Sequence, residues 1–451
     1  MRDSENMTKS LPSALLQERT SGFSSRLFLL VALSAAASSC FDQATGPRFE
    51  TDGRMSITND DAMLGERVDY PNDVVAIDPD PASPVSGPAS LSAPAGAGPM
   101  LAPSDIDLTL VAEITPPLVG LQLVQATSIW MTGSEKAIVS YNFRGLSAIG
   151  GLDYFTKLLN NRPQLRSSVA FLGTDVNAVF TNGSYAYAAT STSDLLFPFP
   201  AVMERIRIRN DRFSLLDAGN RRVALTSFAG TSLMATEDEV YVTTGNTGHI
   251  TAYDEDDMTL RGQYALDDAR WVSWDEPNNR VVVLQGMPGR LAVFQEGSFP
   301  GGSMTLLNTW SVPGVDVAES KNTVEVSGGK AYVAAGPAGV QVVCLSTGQV
   351  IGSVPIPNAA SLGLSPSVVV TNSVTVDDDV MFISNGEAGV YAAAGSRDFD
   401  DSSCAPMTIT VLGRLRFDNL ESANHVVYRG GHLYVAAGLG GVKVVDVDVR
   451  N

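Results

Sequence analysis

The stretch Gly430-Gly-His-Leu-Tyr-Val-Ala-Ala-Gly-Leu-Gly-Gly-Val-Lys-Val-Val-Asp446 decides the fold, because it is one copy of a repeated unit. An earlier copy, Gly328-Gly-Lys-Ala-Tyr-Val-Ala-Ala-Gly-Pro-Ala-Gly-Val-Gln-Val-Val-Cys344, shares its opening glycines, Tyr-Val-Ala-Ala-Gly and Gly-Val-x-Val-Val. A shorter copy, Met381-Phe-Ile-Ser-Asn-Gly-Glu-Ala-Gly-Val390, lies between them. Recurrence every 50 residues or so is the signature of a repeat architecture. We therefore expect one large domain built from a single kind of unit.

Each unit contains short runs rich in Val, Ile and Tyr that are separated by Gly, Asn and Asp, a pattern typical of strands and tight turns. Gly-x-x-Gly recurs at the second turn of five units, where glycine permits a positive φ and a tight reversal. The second strands of the seven units are marked by Ile138, Tyr187, Tyr241, Val282, Tyr332, Phe382 and Tyr434. Seven four-stranded units predict an all-β fold, a seven-bladed β-propeller over 107–451.

The ends of the repeat region predict how the ring closes. The last unit stops after its third strand, at Val442 to Val447, and lacks a fourth. The apolar run from Leu108 to Ile114 precedes the first unit, whose inner strand is predicted at Leu121 to Ala126. We therefore expect this N-terminal run to supply the missing outer strand of the last blade.

The N-terminal region predicts export. Basic residues precede the apolar run from Leu27 to Leu33, and small residues then lead to Cys40, as in a secretory signal. The small residues before Cys40 resemble a bacterial lipobox, although Ala37 stands where that motif prefers Leu. We expect a signal peptide over 1–39 and lipidation of Cys40; an ordinary cleaved signal is the alternative. Residues 40–106, rich in Pro, Ser and Asp, are predicted to form a disordered linker.

The pattern Tyr-Val-Ala-x-Gly-x-x-Gly-Val-x-Val-Val-Asp, clearest at 428–448 and 327–346, resembles the LVIVD repeats of bacterial secreted and surface β-propellers. The second unit departs from it, and Leu216-Asp-Ala-Gly-Asn-Arg-Arg-Val223 looks like part of an NHL propeller repeat. The resemblance implies a surface or periplasmic scaffold and carries over no catalytic residue. The expected location is the bacterial cell envelope, at the outer membrane or cell surface, with a protein or glycan partner.

Composition excludes some functions. The formal net charge of -19 makes nucleic acid an unsuitable partner, because phosphates would be repelled. The chain has three histidines and none of the common hydrolase or zinc motifs, so no metal site and no catalytic residue is predicted. A non-enzymatic binding or assembly module is favoured over two alternatives, a lactonase-like or lyase-like propeller enzyme and a carbohydrate- or matrix-binding adhesin. No cofactor is expected, although acidic loops such as Asp254–Asp257 and Asp377–Asp379 could bind calcium.

Loops that join the second and third strands of a blade, and loops that join successive blades, share one face of a propeller. That face and the axial channel are the default ligand sites. Its acidic residues would suit a cation or a basic partner. The candidate residues are Asp175, Asn177, His249, Asp267, Asp268, Arg270, Arg290, Asp316, Glu319, Glu421, Asn424 and His425.

Cys344 and Cys404 remain once Cys40 is lipidated. In an oxidising compartment they could form a disulfide, and two free thiols are the alternative.

Overall fold

Seven antiparallel sheets of four or more strands make up the computed structural model, which describes residues 49–51, 53–79, 101–133, 135–158, 161–318, 320–417 and 422–450. The innermost strand of each sheet contacts that of the next, and the seventh contacts the first, so the sheets form a closed ring. The fold is therefore the predicted seven-bladed β-propeller. Within the described ranges, no helix is both long and apolar enough to cross a membrane.

The chain enters through short elements and a long strand before the first blade. These are β1 (Phe49–Thr51), β2 (Met55–Thr58), helix α1 (Asp61–Gly65), β3 (Val68–Asp69), β4 (Asp73–Val74), β5 (Ile77–Asp78), β6 (Ile106–Ile114), β7 (Leu118–Val119) and β8 (Gln122–Leu123). Short 3-10 turns occur at Pro103–Asp105, Glu276–Asn278, Pro300–Gly302 and Pro366–Val368.

The blades follow in chain order. Blade 1 holds β9 (Gln125–Thr132), β10 (Lys136–Asn142), β11 (Ile149–Thr156) and β12 (Gln164–Leu172). Blade 2 holds β13 (Thr174–Thr181), β14 (Tyr185–Thr192), β15 (Ala201–Arg209) and an outer strand split into β16 (Arg212–Ser214) and β17 (Arg221–Ala224). Blade 3 holds β18 (Gly230–Ala235), β19 (Glu239–Thr244), β20 (His249–Asp254) and β21 (Leu260–Ala265). Blade 4 holds β22 (Ala269–Asp275), β23 (Arg280–Gln285), β24 (Arg290–Gln295) and β25 (Leu306–Ser311).

Blade 5 holds β26 (Val324–Ser327), β27 (Lys330–Ala334), β28 (Val340–Cys344) and β29 (Val350–Val354). Blade 6 holds β30 (Ser373–Asp377), β31 (Val380–Ser384), β32 (Val390–Gly395) and β33 (Ile409–Leu415). Blade 7 holds β34 (His425–Arg429), β35 (His432–Ala436) and β36 (Val442–Val449), with β6 as its outer strand.

Ring closure follows the prediction. Strand β36 pairs antiparallel with β6 along its whole length, from Val442 opposite Ile114 to Val449 opposite Ile106. Blade 7 is thus completed by a strand more than 300 residues away in sequence. Because the outer strand comes from the N-terminal side, opening the ring requires breaking this ladder.

The core lies between neighbouring blades, because each sheet must bury both faces to be stable. The second strand of each blade is largely buried, and all seven residues that marked these strands in the sequence are at most 2% exposed. Turn glycines follow the prediction in part. Gly336 and Gly339 have φ of 58° and 77°, and a Cβ on Gly339 would lie 2.0 Å from the Val354 carbonyl oxygen. Gly245 and Gly248 in blade 3, and Gly286 and Gly289 in blade 4, do not adopt a positive φ; in blade 3 Thr247 does, at 55°.

The inner strand of blade 1 differs from its prediction. It runs over Gln125–Thr132, while the first half of the predicted segment lies in the β7–β8 hairpin, with Leu121 exposed at its turn. A run rich in Leu and Val predicts a buried strand from composition alone, but here the run connects blade 7 to blade 1 across the face of the ring.

Residues 53–79, which we call the strap, correct the prediction of a disordered linker for that part of 40–106. Strand β2 pairs with β12 of blade 1, β3 and β4 pair with β6 of blade 7, and β5 pairs with β33 of blade 6. Met55, Ile57 and Leu64 are at most 3% exposed. The composition lacks enough apolar residues for an independent core, but the outer edges of three blades supply backbone hydrogen bonds and apolar surface. Residues 41–48 and 80–100 of the predicted linker, and the signal peptide, lie outside the described residues.

Candidate binding face

Loops between the second and third strands of each blade, and loops between blades, lie at one end of the ring, which we call the upper face. Ten of the twelve candidate residues are described; Glu319 and Glu421 lie outside the described residues, as does Cys40. Most of the ten are engaged in contacts within the propeller. Many polar side chains of the upper face therefore form contacts between blades.

Arg270 makes such contacts between blades. It is 8% exposed and pairs with Asp268 through two contacts, of 2.7 and 3.0 Å. Its Nη1 also donates to the backbone carbonyls of Val315, at 3.3 Å, and Ser320, at 3.2 Å. The guanidinium thus joins blade 4 to the connection that leads to blade 5, and it is turned away from solvent.

Asp175 and Asn177 join the first three blades. The Asp175 carboxylate accepts a hydrogen bond from the Ile149 N–H at 3.0 Å, and burial raises the pKa of this carboxyl. The Asn177 side-chain amide donates to the Gly230 carbonyl of blade 3 at 2.7 Å. Both side chains have internal partners, so they are poorly placed to hold a ligand.

The remaining described candidates are spread around the rim. His249 lies 2.9 Å from the Thr226 hydroxyl, and burial lowers the pKa of its imidazole. Arg290 donates to the Gln285 side chain, and Asp267 accepts from the Thr247 N–H. Asp267 and Asp316 are exposed. Nowhere in the described chain do three or more His, Cys, Asp or Glu side chains gather in a way that could hold a metal ion.

Three side chains meet across the axial channel, close to the upper face. The rings of Trp271, from blade 4, and His425, from blade 7, lie 5.3 Å apart between centroids. Lys321, just before blade 5, donates to the backbone carbonyl of Thr127 in blade 1, and to that of Asn424 at 3.2 Å. Blades 4 and 5 are thus connected with blades 7 and 1 across the axis. The cluster crosses the channel at the end where a ligand would enter.

This channel cluster is electrostatically unusual. Burial lowers the pKa of Lys321 to about 7, and its hydrogen-bond partners among the described residues are backbone carbonyl groups. Burial, and then the charge of Lys321, lower the pKa of His425. The imidazole is therefore neutral at pH 7, and its Nδ1 has no hydrogen-bond partner within the part of the chain that the structure describes. Lys321 was not among the candidate residues, because the neighbouring sequence does not distinguish a loop lysine that points into a channel from one that points to solvent.

The acidic loops named for calcium lie at the opposite end of the ring. The Asp254 side chain caps its own turn, accepting from the N–H groups of Asp256 and Asp257 at 3.0 and 3.2 Å. Asp377 and Asp379 line a pocket of about 310 Å³ with neighbouring acidic residues, and burial raises the pKa of both carboxyls. Calcium binding there stays a prediction.

Cys344 and Cys404 are bonded as a disulfide, with sulfurs 2.03 Å apart and Cα atoms 5.5 Å apart. Cys344 ends β28 of blade 5, and Cys404 lies in the connection between β32 and β33 of blade 6. The bond therefore links two neighbouring blades near their lower end.

Exposed apolar side chains at the upper face were not among the candidate residues predicted from the sequence. Most of the large apolar side chains that are exposed in the described chain lie at the upper face. They are Leu118, Leu121, Leu123, Leu146, Leu172, Leu195, Leu196, Phe199, Phe228, Met287, Val317 and Leu439. Met63, Tyr70, Val74, Leu216, Leu260 and Leu307 lie elsewhere. The first nine belong to neighbouring loops of blades 1 to 3, and we call those nine the apolar patch. One signal was visible in the sequence, since Leu195-Leu-Phe-Pro-Phe199 is apolar in a segment where a polar turn is expected.

No family model matches the chain, and no curated protein matches it. Among solved structures, the WD40 β-propeller domain of Doa1 is similar with a TM-score of 0.48 and 9% identity, over 75% of this chain and 96% of that one. The computationally designed Ika8 protein is similar with a TM-score of 0.38 and 11% identity, over 71% of this chain and 96% of that one.

Proposed function

We propose that this protein is an exported propeller of the LVIVD-repeat kind, lipid-anchored at Cys40, that acts as a non-enzymatic binding or assembly module of the bacterial cell envelope. The signal-like N-terminus and the cysteine after small residues support export and anchoring. The disulfide between Cys344 and Cys404 suits an oxidising compartment.

The observation that carries the binding function is the apolar patch. Leu121, Leu146, Leu195 and Leu196 are 89% exposed or more, and they come from three different loops of one face. Single exposed apolar residues are ordinary, but their concentration on one face marks a surface that docks on something else. Removing such a side chain from water contributes about 1.5–3 kcal/mol.

The channel cluster favours binding over catalysis. Propeller ligands and substrates commonly enter through the upper face or the axial channel. Here Trp271, His425 and Lys321 occupy that entrance, and the polar candidates Asp175, Asn177 and Arg270 have internal partners. The exposed loops of the upper face therefore remain as the surface available for binding a partner.

Two measurements test the proposal. Growth with a radiolabelled fatty acid should label the protein, and Cys40→Ser should abolish the label. Purified unlipidated protein should then bind isolated cell envelopes saturably, and Leu195→Ser with Leu196→Ser should weaken that binding. Absence of label from the wild-type protein would reject anchoring, and envelope binding that is equal in both proteins would reject the upper face as the binding surface.

A further inference from the structure

The apolar patch has a composition that identifies its partner. Seven of its nine residues are leucines, and the other two are Phe199 and Phe228. Protein-binding surfaces are enriched in Tyr, Trp, Phe, Met and Arg, and leucine, which makes up most of this patch, is under-represented among their energetically dominant residues. Leucine and phenylalanine at the ends of separate loops suit a fluid apolar phase, which needs no matching shape.

Charge is scarce within the loops that carry the patch. The five loops that carry it, 115–124, 143–148, 172–174, 193–200 and 225–229, contain two charged residues, Arg144 and Asp194. Asp194 pairs with Arg222 at 2.7 Å. This contrasts with a formal net charge of -19 for the chain. A surface with so little charge can be taken out of water without a large desolvation penalty.

The strap places the N-terminal chain at the outer edge of blade 1, within reach of the patch. The carbonyl of Arg54 accepts a hydrogen bond from the N–H of Leu172, a patch residue, at 2.8 Å. Strand β1 begins at Phe49, which pairs with Thr58 at the level of Ser168, four residues along β12 from Leu172. Only the eight residues 41–48 lie between Cys40 and β1, and the connection reaches about 30 Å when fully extended, more than the roughly 13 Å along β12 from Ser168 to Leu172. A lipid on Cys40 would therefore hold the edge of blade 1 close to a bilayer.

We propose that the apolar patch docks on the lipid bilayer surface, with the leucines at its loop ends entering the interface between headgroups and acyl chains. The inference rests on the proposed function, since lipidation of Cys40 would keep the upper face near the membrane. Interfacial binding grows with the apolar area that is buried. The short connection raises the effective concentration of the patch at the bilayer, so modest intrinsic affinity suffices. The upper face then lies against the membrane, and the lower face and rim point outward.

The test uses the full mature chain with Cys40→Ser, so that no lipid contributes to binding. Co-sedimentation is measured with phosphatidylcholine vesicles and with vesicles that contain phosphatidylglycerol. We expect binding to phosphatidylcholine that is insensitive to salt, because the patch carries little charge. Phosphatidylglycerol should give no increase, since the protein is acidic.

Variants locate the binding surface. Leu195→Ser with Leu196→Ser should raise the vesicle dissociation constant about tenfold or more. Leu121→Ser with Leu146→Ser should act similarly, because these loops lie over blade 1. The control is Leu260→Ser, a residue 60% exposed on the outer strand of blade 3, which should leave binding unchanged. All of these side chains are exposed, so thermal unfolding should be nearly the same in every variant.

Each outcome decides the proposal. No binding to either vesicle, or binding that the patch variants leave intact, overturns it. A different result is that the patch variants weaken binding to envelopes but the protein does not bind pure lipid vesicles. In that case the partner is a protein or glycan, and the proposed function stands without a lipid partner. If Cys40 proves unlipidated but the vesicles still bind through the patch, the proposed anchoring fails and the docking surface remains.

Discussion

The ion pair between Arg67 and Asp153 gives the sharpest test of the strap. The Asp153 side chain is 0% exposed, and the guanidinium of Arg67 approaches both of its oxygens, one of them at 3.1 Å. The same guanidinium donates to the Ser168 hydroxyl at 3.2 Å and to the Thr115 carbonyl at 3.0 Å. Arg67 belongs to the strap and Asp153 to the third strand of blade 1, so the pair joins the two.

Replacing Arg67 by alanine should strongly destabilise the folded protein. It leaves a buried carboxylate without its cationic partner, and breaking a buried pair in this way costs about 3–5 kcal/mol. We expect the free energy of unfolding to fall by that amount in urea denaturation followed by tryptophan fluorescence, with an earlier thermal transition. Arg67→Met combined with Asp153→Leu removes both charges and should recover most of the loss.

The matched control is Arg416→Ala. Arg416 also pairs with the strap, at Asp78, but the two side chains are 68% and 39% exposed. Exposed pairs contribute about 0–1 kcal/mol, so this variant should unfold almost as the wild-type protein does. If Arg67→Ala and Arg416→Ala lower stability equally, the argument from burial is refuted.

Three further predictions concern the strap, the disulfide and the channel. Deleting residues 49–79 should lower the thermal transition of the whole propeller, because β6 and the outer strands of blades 1 and 6 would lose their paired edges. Replacing Cys344 and Cys404 together by serine should cost about 2–4 kcal/mol, given the 60-residue separation of the two cysteines. Lys321 has a folded-state pKa near 7, below its usual value of 10.5, so the unfolded chain binds the extra proton between these values. The stability of the wild-type protein relative to Lys321→Met should therefore rise from pH 7 to about 10.5 and stay constant below pH 7.

Each of these predictions has a result that would contradict it. An unchanged melting temperature after deletion of 49–79 would mean that β1 and the strap do not stabilise the ring. Two thiols titrating in the denatured, unreduced protein would show that the disulfide does not form. A stability difference that is flat from pH 7 to 10.5 would mean that Lys321 keeps its ordinary pKa in the folded state.

The candidate site was only partly accessible from the sequence. Placing Asp175, His249 and Arg270 at the upper face needed only the blade topology, because the end of the ring at which a loop lies follows from strand order. Whether a side chain such as Arg270 faces solvent or a neighbouring blade depends on packing between units, which local pattern does not contain. The exposed leucines were overlooked for a related reason, since an apolar residue in the sequence is first assigned to the core.

Sequence alone determined the number of blades and the closure of the ring. Each blade is a set of strands joined by short turns, so its signals repeat locally, and the missing outer strand of the last unit pointed to the apolar run before the first. Tertiary structure decided the course of residues 53–79, which have too few apolar side chains to fold by themselves and gain strands only at the edges of blades 1, 7 and 6. It also decided the channel cluster and the apolar patch, because each joins residues from separate blades, and their proximity exists only once the ring has closed.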